Sequence, residues 1–426
     1  MKTSRSDVAD GGAVKLYGHP DSREAYEIRD LLQRSVVQFE WIELSRDAPW
    51  PSESGVAPGK IPTLPIVELP DGTRLSAPSL QAVANALGWV TTPRRHEYDL
   101  SIYGAGPAGL SAAVYAASEG IKAVVVERRA VGGQAGSSSL IENYMGFPEG
   151  ISGARLAERA RQQAVKFGVD FLMLNEGIRA VFDESGIHVD LANGEKLVAR
   201  ANLCATGVEY RRLGLPDEGA FLGNGLYYGG GAGEAPMCRG EHVVVIGGGN
   251  GALQAAMHFS EFANRVSVLV RGSSLTGIAS RYLIDRIQQT ANVEVEYGTE
   301  VTALLGENAL QAIEITDHRN DTRKTVRTRH VFACIGGVPN TEWAKDTPIA
   351  RDSHGYLITG PDLLVHSHAE TSWPLRRAPF FLETSVPGSF AAGDVRFGSV
   401  KRAVAAAGEG AMAVTFIHRY LHETQQ

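Results

Sequence analysis

Two glycine-rich turns, each set between an apolar run and a helix-forming run, constrain this chain more than any other feature. The first, Gly104-Ala105-Gly106-Pro107-Ala108-Gly109, follows the apolar run Tyr98 to Tyr103 and leads into Leu110 to Ala117. The second, Gly247-Gly248-Gly249-Asn250-Gly251-Ala252, follows Val243-Val244-Val245-Ile246 and continues as helix to Phe259. Glycines at these points let the backbone approach a pyrophosphate, and the helix N-terminus favours its negative charge. A lone turn of this kind is weak evidence. Here Val124-Val125-Val126 also leads to Glu127, 23 residues beyond Gly104, where an acid accepts hydrogen bonds from ribose hydroxyls. Two such sites imply two dinucleotides, most simply FAD and a nicotinamide cofactor. The turns open 143 residues apart, so each can begin its own domain. Strands alternate with helices from Tyr98 onward, which predicts an α/β fold with two Rossmann-like, doubly wound nucleotide-binding domains.

The second site carries a signal about its nicotinamide cofactor. Its next strand, Val266 to Val270, ends at Arg271 rather than at an acid. An acid there would hydrogen-bond the NAD ribose and repel a 2′-phosphate, whereas arginine attracts that phosphate. Ser273, Ser274 and Arg281 are placed to complete the pocket. NADPH is therefore favoured over NADH. The net charge is −7 and no basic block is present, which argues against nucleic acid as a partner. No run approaches the length of a membrane span, so no membrane partner is expected. The segment Met1 to Gly12 is polar, so no secretory signal is expected. The three cysteines, Cys204, Cys238 and Cys334, are sparse and odd in number, which points to the reducing cytoplasm.

Further motifs carry a resemblance. Gly132-Gly133-Gln134 is followed by Ile141-Glu142-Asn143-Tyr144, and Ala205-Thr206-Gly207 and Phe390-Ala391-Ala392-Gly393-Asp394 stand further along. From Tyr98 to the C-terminus the chain resembles the low-molecular-weight thioredoxin reductases. That resemblance implies a homodimeric flavoenzyme with a three-layer ββα FAD domain. It implies that Gly133, Gln134, Asn143, the Ala205-Thr206-Gly207 turn, Gly393 and Asp394 join Gly104, Gly106, Pro107, Ala108, Gly109 and Glu127 around FAD, with Asp394 on the ribityl chain. Gly247, Gly249, Asn250, Gly251, Ala252, Arg271 and Arg281 are left for NADPH. Lys401-Arg402-Ala403 stands where the family has Arg-Gln-Ala, at a helix N-terminus facing the pyrimidine end of the flavin. Arg402 puts a cation near that end, which would raise the flavin potential.

One departure is decisive. Family members carry a C-x-x-C pair shortly before the second glycine turn. Here that stretch reads Tyr227-Tyr228-Gly229-Gly230-Gly231-Ala232-Gly233-Glu234, and Cys238 stands alone a few residues on. The catalytic residues thus stay open, with Gly230, Gly231 and Cys238 nearest the expected place. The glycine run is expected to leave the flavin face uncovered, so that an acceptor approaches it directly.

Residues 13–89 read as β-α-β-β-α. Val14 to Tyr17 and Phe39 to Leu44 are strands, and Ser22 to Leu32 is a helix capped by Asp21 or Ser22. Pro65 to Leu69 leads through an Asp71-Gly72 turn to another short strand, and Pro78 to Leu87 closes as helix. The segment resembles a glutaredoxin or thioredoxin-like domain. Thr63-Leu64-Pro65 matches its cis-proline loop, and Ser22 and Ala25 take the places of its two cysteines. Dithiol exchange is excluded there. The expected map is a thioredoxin-fold domain over 1–90, a linker over 91–97, an FAD domain over 98–218 and 326–426, and an NAD(P)H domain over 219–325. Hinges are expected at Asp217-Glu218-Gly219 and Thr325 to Arg329. His366 and His368 lack partners at metal-ligand spacing, so no metal is expected. The stretch from Pro361 to Pro387, with Trp373, Arg376, Arg377, Phe380 and Phe381, reads as an insertion.

The resulting expectation is an FAD-dependent NADPH oxidoreductase without an internal redox disulfide. Its acceptor is open between a small molecule and a redox protein. The alternatives are a disulfide reductase acting directly from flavin, a ferredoxin- or flavodoxin-NADP reductase, and a non-catalytic flavin-binding sensor or scaffold.

Overall fold

The structure, a computed structural model, describes residues 13–20, 22–44, 63–89, 92–183, 185–307, 309–365 and 373–424. Asp21, Thr91, His366 and His368 lie outside them. In the N-terminal unit the strand Val14–Gly18 is central. It pairs in parallel with Phe39–Glu43 and antiparallel with Ile66–Glu68, which pairs antiparallel with Arg74–Ser76. Helix Arg23–Arg34 connects the parallel pair, and helix Leu80–Ala86 closes the unit. Leu16, Ile28, Leu32, Val67 and Val83 form its core. Ser22 is the cap of the first helix, its Oγ accepting from the Ala25 N–H at 3.1 Å, a contact worth about 1 kcal/mol. The Leu64–Pro65 peptide is cis.

The next unit is built on a sheet in the order Asp170–Met173, Ala123–Glu127, Glu97–Tyr103, Lys196–Cys204, Gly186–Leu191, Gly177–Asp183, with Ser389–Ala391 also beside Lys196–Cys204. Strands around the first glycine turn run parallel. Parallel strands are covered on both faces and so read as unbroken apolar runs, as Val124-Val125-Val126 does, fully buried. The alanine-rich helix Pro107–Ser118 packs on the C-terminal helix Ala403–Glu423. Their approach depends on Gly410, where a Cβ would lie 2.0 Å from the Ala108 carbonyl oxygen.

The third unit has five parallel strands in the order Leu226–Tyr228, His330–Ala333, His242–Ile246, Arg265–Val270, Val293–Tyr297. An antiparallel sheet of Thr299–Gly306, Leu310–Asp317 and Thr322–Arg327 packs beside it. One of the expected boundaries needs correction. His330–Ala333, assigned from sequence to the FAD domain, hydrogen-bonds in parallel to His242–Ile246, so the return crossing falls after residue 333. The crossings run side by side as a ribbon, Val208–Tyr210 against Gly337–Pro339. The expected hinges are anchored instead. Glu218 accepts from the Tyr228 hydroxyl at 2.6 Å and the Gly214 N–H at 2.8 Å, and Thr325 lies inside a paired strand.

Candidate functional site

The first cradle forms around the N-terminus of helix Pro107–Ser118. Gly106 is its cap and makes no side-chain bond to the free N–H groups, which suits that end to an anion. Gly104 adopts φ +104°, and a Cβ there would lie 2.4 Å from the Ala205 carbonyl oxygen. Gly109 sits against the Gly104 carbonyl, where a Cβ would come within 1.9 Å. These are backbone contacts that only glycine permits. A Cβ on Gly106, by contrast, would meet only the Gly133 Cα, at 3.9 Å. Gly132 N–H donates to the Ala105 carbonyl at 2.7 Å, and Gly393 approaches Ala108. Glu127 is buried and accepts from the Ala105 N–H at 2.7 Å and the Arg129 N–H at 2.8 Å. The structure thus brings Gly104, Gly106, Ala108, Gly109, Glu127, Gly133, Ala205 and Gly393 to one place.

Other residues expected there lie at its margins. Gln134 donates from Nε2 to the Val208 carbonyl at 2.9 Å, so it ties the cradle to the crossing ribbon. Thr206 Oγ1 donates to the Asn340 carbonyl, and Gly207 accepts from the Asn340 N–H. Asn143 is exposed, next to Glu142, which pairs with Arg286 of the third unit at 2.5 Å. Burial pushes the Asp394 carboxyl above its ordinary range, against the pull of Lys401 and Arg402. Lys401 adopts φ +56° and donates from Nζ to the Tyr356 hydroxyl at 2.7 Å. Arg402 caps helix Ala403–Glu423 through its backbone.

The second cradle repeats the geometry. Gly249 caps helix Asn250–Ser260 without a side-chain bond. A Cβ on Gly249 or Gly251 would meet nothing within 4 Å, whereas one on Gly247 would lie 2.3 Å from the Cys334 carbonyl oxygen. Asn250 is clamped to Ser280, donating to its Oγ at 2.9 Å and accepting from its N–H at 2.7 Å. Ala252 is fully buried. Arg271 is exposed at the end of its strand, and Arg281 pairs within its own helix with Asp285 at 2.8 Å. Both cradles present the helix N-terminal N–H groups that a pyrophosphate binds.

The glycine run is not an open window. A Cβ on Gly229 would strike the Tyr210 hydroxyl at 2.5 Å, and one on Gly231 would strike the Phe332 ring at 2.3 Å. Gly230 lies against the Ser137 carbonyl, and Gly233 against the Gln33 side chain. Packing alone accounts for Gly229, Gly231 and Gly233, while a Cβ on Gly230 would be in tight contact with the Ser137 carbonyl at 3.1 Å. Cys238 is sealed at 0% exposure, its Sγ donating to the Glu234 carbonyl. The thiol nearest the run is that of Cys334, which donates to the Gly229 carbonyl at 3.3 Å. Burial pushes all three thiols up to about 12, so at neutral pH each is a protonated thiol and a poor nucleophile.

Sequence reasoning missed the residues that join distant segments here. Glu409 of the C-terminal helix accepts from the Gly393 N–H at 2.7 Å and pairs with Arg396 at 2.6 Å. From the N-terminal helix, Arg34 donates to the Gly133 carbonyl at 2.8 Å and Arg29 pairs with Glu234 at 3.5 Å.

A fold of two glycine-turn Rossmann units, one interrupting the other, each with an open helix N-terminus, defines a two-dinucleotide oxidoreductase. Residues 98–410 match the pyridine nucleotide-disulphide oxidoreductase family, and the chain belongs to it. It is 33% identical over 329 residues to thioredoxin reductase of Treponema pallidum, covering 77% of this chain and 99% of that one. It is 32% identical over 327 residues to NADPH-dependent thioredoxin reductase 3 of Arabidopsis thaliana, covering 75% and 58% respectively. The crystal structure of T. acidophilum thioredoxin reductase superposes with a TM-score of 0.67 at 26% identity, covering 76% of this chain and 99% of that one. Thioredoxin reductases are FAD- and NADPH-dependent oxidoreductases.

Proposed function

We propose that this protein is an FAD-dependent NADPH oxidoreductase that delivers electrons to an external acceptor without an internal redox disulfide. FAD, when bound, would supply the hydride-accepting chemistry, and the residues below would hold it and the nicotinamide cofactor. The first cradle, from Gly104 to Gly109 with Glu127, Gly133, Gln134, Asn143, Ala205, Thr206, Gly207, Gly393 and Asp394, would hold FAD. The second, from Gly247 to Ala252 with Arg271 and Arg281, would hold NADPH. Lys401 and Arg402 would set a positive field beside the flavin. The working form is a homodimer, and the N-terminal unit is a thioredoxin-like fold that has lost its dithiol: Ser22 caps the helix where a reactive cysteine would stand.

The observation that carries this reading is the pairing of two open cradles with three thiols that burial keeps protonated. The test is anaerobic stopped-flow mixing with NADPH. Loss of the flavin band within seconds is the expected result, and an acceptor screen follows from it. A flavin band that persists while NADPH binds overturns the reading and leaves a flavin-binding scaffold in its place.

A further inference from the structure

One helix of the N-terminal unit touches both nucleotide units. On the FAD side, Arg34 donates to the Gly133 carbonyl at 2.8 Å and to the Ala130 carbonyl at 3.4 Å. On the nicotinamide side, Arg29 pairs with Glu234 at 3.5 Å, with both side chains below a tenth exposed. Tyr26 meets Tyr227 ring to ring at 5.4 Å. Gln33 fills the space where Gly233 would carry a Cβ, and Gly223 lets the helix approach at Tyr26. The Trp41 ring backs the Arg29 guanidinium at 5.3 Å. Among the described residues, direct ties between the two nucleotide units are few, with Gly230 packed against the Ser137 carbonyl. Beyond the crossing ribbon and its contacts, Arg286 with Glu142 is the ion pair that joins them among the described residues, and it is partly exposed. An exposed pair of this kind contributes little rigidity, and a ribbon of three residue pairs leaves a twisting freedom.

We propose that helix Arg23–Arg34 is an internal clamp that fixes the nicotinamide unit in one orientation against the FAD unit, with Arg34 and Arg29 as its two jaws. The clamp is independent of the acceptor and of whether NADPH reduces the flavin. It also gives the glycine run a role, since Gly233 and the neighbouring Glu234 form the seat of one jaw.

The test uses the full-length chain with dyes on Lys166→Cys in the FAD unit and Arg323→Cys in the nicotinamide unit, both exposed positions. Single-molecule energy transfer is read without NADPH. The parent is expected to show one narrow transfer population. Arg29→Met with Arg34→Met is expected to broaden or split it, and Arg34→Lys, which keeps a donor for the two carbonyls, is expected to leave it narrow. A double variant that keeps the parent's single narrow population, with circular dichroism unchanged, overturns the clamp. Should the double variant fail to fold, Arg34→Met alone, which removes the donor to both carbonyls, faces the same two outcomes.

Discussion

Glycine does two different jobs in these turns, and single substitutions separate them. At Gly231, with φ +56°, a Cβ would strike the Phe332 ring. Gly231→Ala is expected to destabilise the chain by about 2 kcal/mol through strain and overpacking, read as a lower unfolding midpoint in denaturant. At Gly249 a Cβ meets nothing within 4 Å, so Gly249→Ala is expected to leave that midpoint in place. Its methyl would instead stand where a pyrophosphate approaches, and NADPH Kd is expected to rise about tenfold, or ~1.4 kcal/mol, in a titration. Arg271→Ala is expected to weaken NADPH binding and leave NADH unchanged, because only the 2′-phosphate meets that cation; equal loss for both would remove Arg271 from the pocket. At this scale the cradle was legible, since Gly104, Gly106, Gly109 and Glu127 act through a local strand-turn-helix. Arg34 and Arg29 were not, because their partners lie 99 and 205 residues away.

The sequence predicts a helix over Ser22 to Leu32, and the structure forms it as Arg23–Arg34 with Ile28, Leu31 and Leu32 buried. Its opposite face is also covered: Arg29 is 5% exposed. Burial there moves Glu234 up to about 7 from an ordinary 4.5, with Arg29 pulling it down and Asp30 pushing it up. Tyr26, Tyr227 and Cys238 also face it. Between those two values the docked state binds more protons at Glu234 than the released or unfolded state does. The contribution of this contact to stability therefore falls as pH rises from about 4.5 to about 7 and is level above that. Energy transfer across pH 5 to 8 is expected to show a narrower population at the acidic end. Glu234→Gln is expected to flatten that dependence, and an unchanged slope would assign it to another group. The other elements followed their patterns closely: the strands at Val14, Phe39, Ala123 and Val243 and the cap at Ser22 needed only local periodicity and a short polar side chain. The stretch near Trp373 is held by Arg377, which pairs with the fully buried Glu383 at 2.6 Å and, across a longer range, with Glu423 of the C-terminal helix.

Across the whole molecule, the proposed electron transfer without a dithiol has a plain consequence. Replacing Cys204, Cys238 and Cys334 together with alanine is expected to leave the rate of NADPH-dependent flavin bleaching unchanged, provided the folded chain retains flavin. A large loss in a well-folded triple variant would restore a thiol to the pathway. What the sequence by itself determined is the set of local devices: two glycine turns with their strands and helices, the missing C-x-x-C, the capped helix without thiols, and Arg271 at a strand end. Each depends on residues within a few turns of chain, where backbone sterics and hydrogen-bonding chemistry decide the outcome. The tertiary structure alone decided that His330–Ala333 joins the nicotinamide sheet, that Tyr210, Phe332 and Gln33 occupy the glycine run, and that one N-terminal helix grips both nucleotide units. Those outcomes depend on contacts between segments up to about two hundred residues apart, set by how whole sheets and helices bury their faces against one another.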